Sequence, residues 1–133
     1  MGCDIHYILE VKKYDKWVGI ASDLQYNKDA KADSRDYRFF SELAGVRSYE
    51  ENSRNPLGIP VDISDLSRHY IEYMDDDGHS HSYMPLKEFF SIYKSLYPEE
   101  NVNSDKMFAL WLSEDDEEEA TYENYRVVFF FDN

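Results

Sequence analysis

Cysteine, positive charge and long apolar runs are all scarce in this chain. Its one cysteine, Cys3, cannot form an internal disulfide, which is typical of proteins from a reducing compartment. Acidic residues outnumber Lys and Arg by 28 to 14, and the formal net charge is -14. Because this charge repels phosphate backbones and anionic lipids, it argues against sequence-independent nucleic-acid binding.

No apolar run approaches the length that is needed to span a membrane, so we expect no membrane partner. Met1 is followed directly by a strand pattern rather than by a basic and then apolar leader. His6 stands where a myristoylation motif requires Ser or Thr. These features predict a cytoplasmic protein.

Length and composition predict a single folded domain over residues 1–133. Hydrophobic residues make up 42% of the chain, which excludes disorder over most of its length despite a mean hydropathy of -0.72. The 12 tyrosines and 8 phenylalanines predict a largely aromatic core.

The pattern predicts an α+β fold: a small, mostly antiparallel sheet packed by three to four helices. The N-terminal strand, a polar turn at Lys12–Lys16 and a returning strand at Trp17–Ala21 predict a β-hairpin. Tyr125–Phe131 is a near-continuous apolar run, typical of a central strand buried on both faces. We expect this strand to pair with the hairpin.

Helical spacing of apolar residues predicts four helices between these strands. The first lies within Arg35–Val46, with Ser34 as its N-cap and Gly45 as its stop. The others are predicted near 62–74, with Leu66, Tyr70 and Tyr73 on the apolar face, near 85–97, and near 104–112. The stretch 22–34 is predicted to be a loop. Residues 113–121, which contain six consecutive acids at 114–119, are predicted to be solvated.

The first ten residues carry the first candidate site. Alternation along a strand places Ile5, Tyr7 and Leu9 on one face, and Asp4, His6 and Glu10 on the other. Asp4 and His6 therefore point the same way and can lean toward one metal ion or one substrate atom. The alternative is a hydrogen-bonded Asp/His pair without a ligand. We expect Cys3 to be a small buried side chain.

The second candidate site is His79-Ser80-His81-Ser82, where half of the four histidines fall within three residues. In an extended segment both imidazoles would project to one side, as in a metal or phosphate site, and the alternative is a solvated polar loop. If the two sites meet, His6, His79 and His81 with Asp4 would hold a divalent transition metal such as zinc and activate a water. Without metal, one histidine would act as base and another as acid.

Cations near these histidines would indicate an anionic ligand, because Arg binds phosphate and carboxylate through two parallel hydrogen bonds. Each Arg is also a possible surface partner for the many acids. The residues predicted to bind the ligand are Glu10, Arg35, Tyr37, Arg47, Ser80 and Ser82.

Six segments form a distinctive combination: Met1–His6, Trp17–Gly19, Arg35–Tyr37, Leu43–Arg47, Leu57–Asp62 and Asp77–Ser82. With these segments the chain resembles a family of small bacteriophage proteins that has no assigned activity. The resemblance covers roughly residues 1–90, and the segment 98–133 lies outside the pattern. It implies a phage origin, and with it a location in the host cytosol, and a shared site. Small accessory phage proteins often counter host defences, some of them by cleaving or sequestering nucleotide signals, and a role of this kind is suggested here by analogy.

Three functions are compatible with these features. The first is a histidine-dependent, phosphodiesterase-like hydrolase, metal-assisted or not, that acts on a small phosphate-containing molecule such as a cyclic nucleotide immune signal. The second is a non-catalytic sponge that sequesters a ligand of the same kind. The third is an acidic DNA mimic that inhibits a DNA-binding enzyme. The sequence leaves a homo-oligomer open.

Overall fold

A four-stranded antiparallel sheet organises the protein, with strand order β2-β1-β4-β3. The computed structural model describes residues 2–23, 36–47, 54–96, 98 and 124–133. The strands are β1 (Asp4–Lys13), β2 (Lys16–Ser22), β3 (Gly78–Pro85) and β4 (Tyr125–Asp132). The predicted α+β class is confirmed. The polar segment around His79 is a strand of this sheet, which the sequence pattern did not show.

The predicted hairpin is formed by β1 and β2. Its two turn residues, Tyr14 and Asp15, have positive φ angles of 52° and 64°. Two successive left-handed residues match the twist of a tight hairpin. The predicted alternation of β1 is also observed, because Ile5, Tyr7 and Leu9 belong to the larger core cluster, whereas Ile8 belongs to a separate one.

The larger core cluster lies on the face of the sheet that α1 (Tyr37–Ala44) and α3 (Leu86–Leu96) cover. Asp36 caps α1 by accepting a hydrogen bond from the Phe39 amide, so Asp36 and not the predicted Ser34 is the N-cap. Gly45, with φ 69°, ends α1 as predicted. The buried residues of the two helices are Phe39, Phe40, Leu43, Ala44, Leu86, Phe89, Phe90 and Tyr93.

The opposite face of the sheet is covered by α2 (Asp65–Met74), which Ser64 caps through a hydrogen bond from the Ser67 amide. The apolar face predicted for this helix is only partly correct. Ser67 and Tyr70 are buried, whereas Leu66 is 41% and Tyr73 is 78% exposed. Gly19 permits the close approach of α2 to β2, because a Cβ there would lie 2.5 Å from the Leu66 Cβ.

A buried ion pair between Glu10 of β1 and Arg126 of β4 connects the sheet to α2. The second Glu10 oxygen accepts hydrogen bonds from the Ser64 amide at 3.0 Å and the Ser67 hydroxyl at 2.6 Å. The Arg126 guanidinium also donates to Asp62 at 2.9 Å and stacks on Trp17. Both Glu10 oxygens are therefore occupied by groups of the protein.

Several predictions fall outside the described residues. They are the loop that follows Asp23, the residues Ser34 and Arg35, the helix near 104–112 and the acidic segment 113–121. Among the residues that the structure does describe, no helix is long and apolar enough to cross a membrane.

Replacing Arg126 with Met should destabilise the protein by about 3–5 kcal/mol, because the Glu10 carboxylate would remain buried without its counter-charge. The double variant Glu10→Gln/Arg126→Met should recover most of that loss, since it leaves no buried charge. Urea unfolding of both variants would measure the difference. A double variant as unstable as Arg126→Met would contradict this account of the ion pair.

Candidate active site

His6 lies on the α2-covered face of the sheet, between two aromatic side chains. It pairs in register with Phe130 of β4, and the two rings stack with centroids 5.3 Å apart and planes 28° apart. The Tyr70 ring of α2 meets His6 edge-on at 5.7 Å. These contacts hold the imidazole in one orientation, with its side chain 18% exposed.

The Nδ1 atom of His6 carries a proton. It lies 2.8 Å from the Tyr70 hydroxyl oxygen and 3.2 Å from Asp23 Oδ2. Tyr70 donates its own proton to Asp23 at 2.9 Å, so both neighbours of Nδ1 act as acceptors. Asp23 is held in turn by the Tyr7 amide at 3.0 Å. A carboxylate that binds Nδ1 fixes the orientation of the imidazole and leaves Nε2 to exchange a proton with the substrate, as in hydrolase triads.

The Nε2 atom of His6 faces the Asp132 carboxylate at 3.2 Å, which is within the range of an ion pair. The two atoms are nevertheless not aligned for a hydrogen bond. Within the described part of the chain neither has a hydrogen-bond partner, and both are closed to solvent. The Asp132 side chain as a whole is 27% exposed, so its rotation can open a path to Nε2.

The carboxylates around His6 favour its protonated form. Burial alone lowers the pKa of His6, but the hydrogen bond and charge of Asp23, together with the charge of Asp132, outweigh it. The net result is a pKa above the ordinary value of 6.5. Burial and the neighbouring Asp23 charge raise the pKa of Tyr70, so its hydroxyl remains a donor.

His81 lies on the other side of Phe130, with ring centroids 5.2 Å apart and planes 22° apart. A β-bulge between His79 and Ser82, with Ser80 at φ 55°, turns this imidazole onto Phe130. Gly78 leaves room for it, since a Cβ there would lie 3.3 Å from His81 Nε2. Burial and then the charge of His79 lower the pKa of His81, so it is neutral at pH 7.

His79 does not join the other two histidines. It pairs with Phe131, which points to the opposite face of the sheet from Phe130, and it contacts Ser80 Oγ at 2.9 Å and Asn133 Oδ1 at 3.2 Å. The bulge therefore overturns the expectation that His79 and His81 project to one side. The same geometry separates His6 from His81 by the Phe130 ring.

The predicted three-histidine metal set is consequently not assembled. Over the described residues, no group of three or more His, Cys, Asp or Glu side chains is placed to hold a metal ion. Asp4, the predicted acid, pairs in register with Asp132 and lies on the same face as His6. The structure thus places Asp4, His6 and His81 on one face of the sheet, with Phe130 between the two histidines, and leaves His79 on the other face.

The predicted ligand-binding residues are dispersed. Glu10 is buried in its ion pair with Arg126, so it is not accessible to a ligand. The Ser82 hydroxyl is buried and accepts a hydrogen bond from the Leu57 amide. Ser80 contacts His79, which leaves it beside the site rather than in it.

Tyr37 and Arg47 lie together near Cys3, and Arg35 is outside the described residues. The Tyr37 hydroxyl accepts from the Cys3 amide at 3.1 Å, and the Arg47 guanidinium lies 5.3 Å from the Tyr37 ring centroid. Cys3 is buried, as predicted, and burial raises the pKa of its thiol.

Sequence reasoning missed four side chains of the site: Asp23, Tyr70, Phe130 and Asp132. The position of Asp23 follows from the hairpin. The pairing of β1 with β2 places Ser22 opposite Ile8 and therefore brings Asp23 toward Tyr7. Tyr70 was assigned to the apolar face of α2 without a role for its hydroxyl. Asp132 ends β4, and its position beside His6 depends on a strand register that the pattern alone does not specify.

Comparisons with protein-family models, curated proteins and solved structures found no match for this chain. The resemblance to bacteriophage proteins therefore stays a prediction. The geometry around His6 and His81 carries the functional argument.

In an NMR titration, His6 should titrate above 6.5 and His81 below it. Replacing Asp23 with Asn should lower the His6 pKa, because it removes the charge at Nδ1, and should leave His81 nearly unchanged. Asp65→Asn, at an exposed carboxylate on α2, is the matched control and should move neither. A His6 that titrates at or below 6.5 would refute the assignment.

Ionised His6 should also make stability depend on pH. Its pKa is raised on folding, so the stabilisation is fully present below the unfolded pKa of 6.5 and is lost as pH rises through the folded pKa. The free energy of unfolding of the wild type, minus that of His6→Asn, should therefore be largest below pH 6.5 and decrease as pH rises above it. Urea titrations across this range would show it, and a constant difference would count against the ion pairs.

Proposed function

We propose that the protein is a metal-independent hydrolase of a small phosphodiester, with His6 as general acid and His81 as general base. One observation carries the proposal. Two imidazoles flank the same Phe130 ring, and their surroundings shift their pKa values in opposite directions. Titratable groups whose environments separate their pKa values are the usual mark of an acid–base pair.

Each histidine has a defined task in this reaction. Neutral His81 accepts a proton from the attacking water as the water oxygen bonds to phosphorus. The bond between phosphorus and the leaving oxygen breaks, and His6 Nε2 donates its proton to that oxygen. The Phe130 ring lies between the two imidazoles, with centroids 5.3 Å from His6 and 5.2 Å from His81, so the reacting group would have to reach both imidazoles across that ring. Proton exchange with solvent then restores both imidazoles.

The charges of the site favour a diester over a monoester. His6 supplies one positive charge, whereas Asp4 and Asp132 lie on the same face and repel anions. A phosphate monoester carries about 1.5–2 negative charges at pH 7, and a diester carries only one. A cyclic nucleotide signal is a diester of this kind, and its cleavage would fit the counter-defence role that the phage resemblance implies.

The proposal predicts a bell-shaped pH dependence of kcat/KM on a panel of cyclic nucleotides. Its acidic limb should reflect His81 and lie below pH 6.5, and its alkaline limb should reflect His6 and lie above it. Replacing either histidine with Asn should reduce kcat/KM by about 10²–10⁴-fold and remove the corresponding limb. A metal chelator should have no effect.

His79→Asn is the matched control, because it removes an imidazole from the opposite face. It should keep both limbs, with the acidic limb moved upward because the charge of His79 no longer lowers the pKa of His81. It should reduce kcat/KM by less than about tenfold, well under the loss expected at His6 or His81. Absence of turnover on the whole panel would overturn the proposal. A nucleotide that binds and is recovered intact would identify the site as one for sequestration instead.

A further inference from the structure

His6 Nε2 and Asp132 Oδ1 form a donor and an acceptor that do not satisfy each other. They lie 3.2 Å apart, both are closed to solvent, and in the described residues neither makes a hydrogen bond. Carboxylates face both ring nitrogens of His6, an arrangement that favours the doubly protonated ring, in which Nε2 offers an N–H group. A carboxylate oxygen can only accept. A buried polar group without a hydrogen-bond partner is energetically unfavourable. The pair therefore has hydrogen-bonding capacity that a ligand can use.

A hydroxyl group is the smallest ligand group that satisfies both atoms. Its oxygen accepts from Nε2–H, and its own hydrogen is donated to Oδ1. The Asp132 side chain is 27% exposed, so it can rotate outward and admit the hydroxyl. The contact of Asp23 and Tyr70 with Nδ1 holds the imidazole in place during this movement.

We propose that the His6–Asp132 pair binds a free hydroxyl next to the scissile diester, so that the substrate is a ribose-type rather than a deoxyribose-type phosphodiester. A hydroxyl on the neighbouring carbon lies close enough to the leaving oxygen for both to share Nε2–H. The proton is then already near the oxygen that receives it. This inference rests on the proposed function for its substrate, although it is tested by binding alone.

The charged and titratable groups that face His6 come from every element around it. They are Asp4 on its own strand, Asp23 after β2, Tyr70 on α2 and Asp132 on β4. Both Asp23 oxygens already accept hydrogen bonds, and the Tyr70 hydroxyl is engaged with His6 and Asp23. Asp132 Oδ1 is thus the acceptor that remains beside Nε2 for a ligand.

The test compares a 3′,5′-cyclic nucleotide with its 2′-deoxy form, using calorimetry on the His81→Asn protein so that cleavage does not interfere. The deoxy form should bind at least about tenfold more weakly, because His6 Nε2 and Asp132 Oδ1 are left without a hydrogen-bond partner when the hydroxyl is missing. Asp132→Ala should abolish this preference. Asp65→Ala, at an exposed carboxylate whose described partner is Arg68, should keep it.

Asp132→Asn covers the case in which Asp132→Ala does not fold, because its amide oxygen still accepts a hydrogen bond and should preserve the preference. Equal binding of the two nucleotides, or binding of neither, would overturn the inference. Cleavage of both forms at equal rates would leave the hydrolase intact and reject only hydroxyl recognition. Preferential binding of the ribose form without any cleavage would support hydroxyl recognition and overturn the hydrolase proposal.

Discussion

The protein depends on covering both faces of β4. Six consecutive residues, Arg126–Phe131, are buried, and alternation sends three of them to each side. Helices α1 and α3 cover one side and α2 covers the other. Because α2 must pack on Phe130, its Tyr70 reaches the His6 ring. The candidate active site is therefore a consequence of the way in which the central strand is buried.

His6 and His81 show how one residue type acquires two chemistries from its surroundings. Both rings stack on Phe130, and burial lowers the pKa of each. Around His6 the carboxylates of Asp23 and Asp132 outweigh that effect, whereas the charge of His79 adds to it at His81. The left-handed backbone at Ser80 has a conformational cost, and such strain is often found at functional sites.

Much of the fold could be predicted from local patterns. The hairpin, the end of α1 at Gly45 and the last strand all depend on residues close together in sequence. The inward face of α2 was only partly predicted, because Ser67 is buried by its hydrogen bond to Glu10 while Tyr73 stays exposed. A polar residue that is buried because it binds a residue far away in the sequence does not appear in the spacing of the apolar residues. The strand at His79 was hidden for a similar reason, since its bulge breaks the alternation.

For the site, the sequence by itself determined that Asp4 and His6 share one strand face and that two more histidines follow a turn. Alternation along a strand is a property of the backbone and needs no knowledge of the rest of the chain. Only the tertiary structure decided that His81 and not His79 lies beside Phe130, and that Asp23, Tyr70 and Asp132 surround His6. These choices depend on strand register and on one inserted residue, and a shift of one residue reverses every side chain.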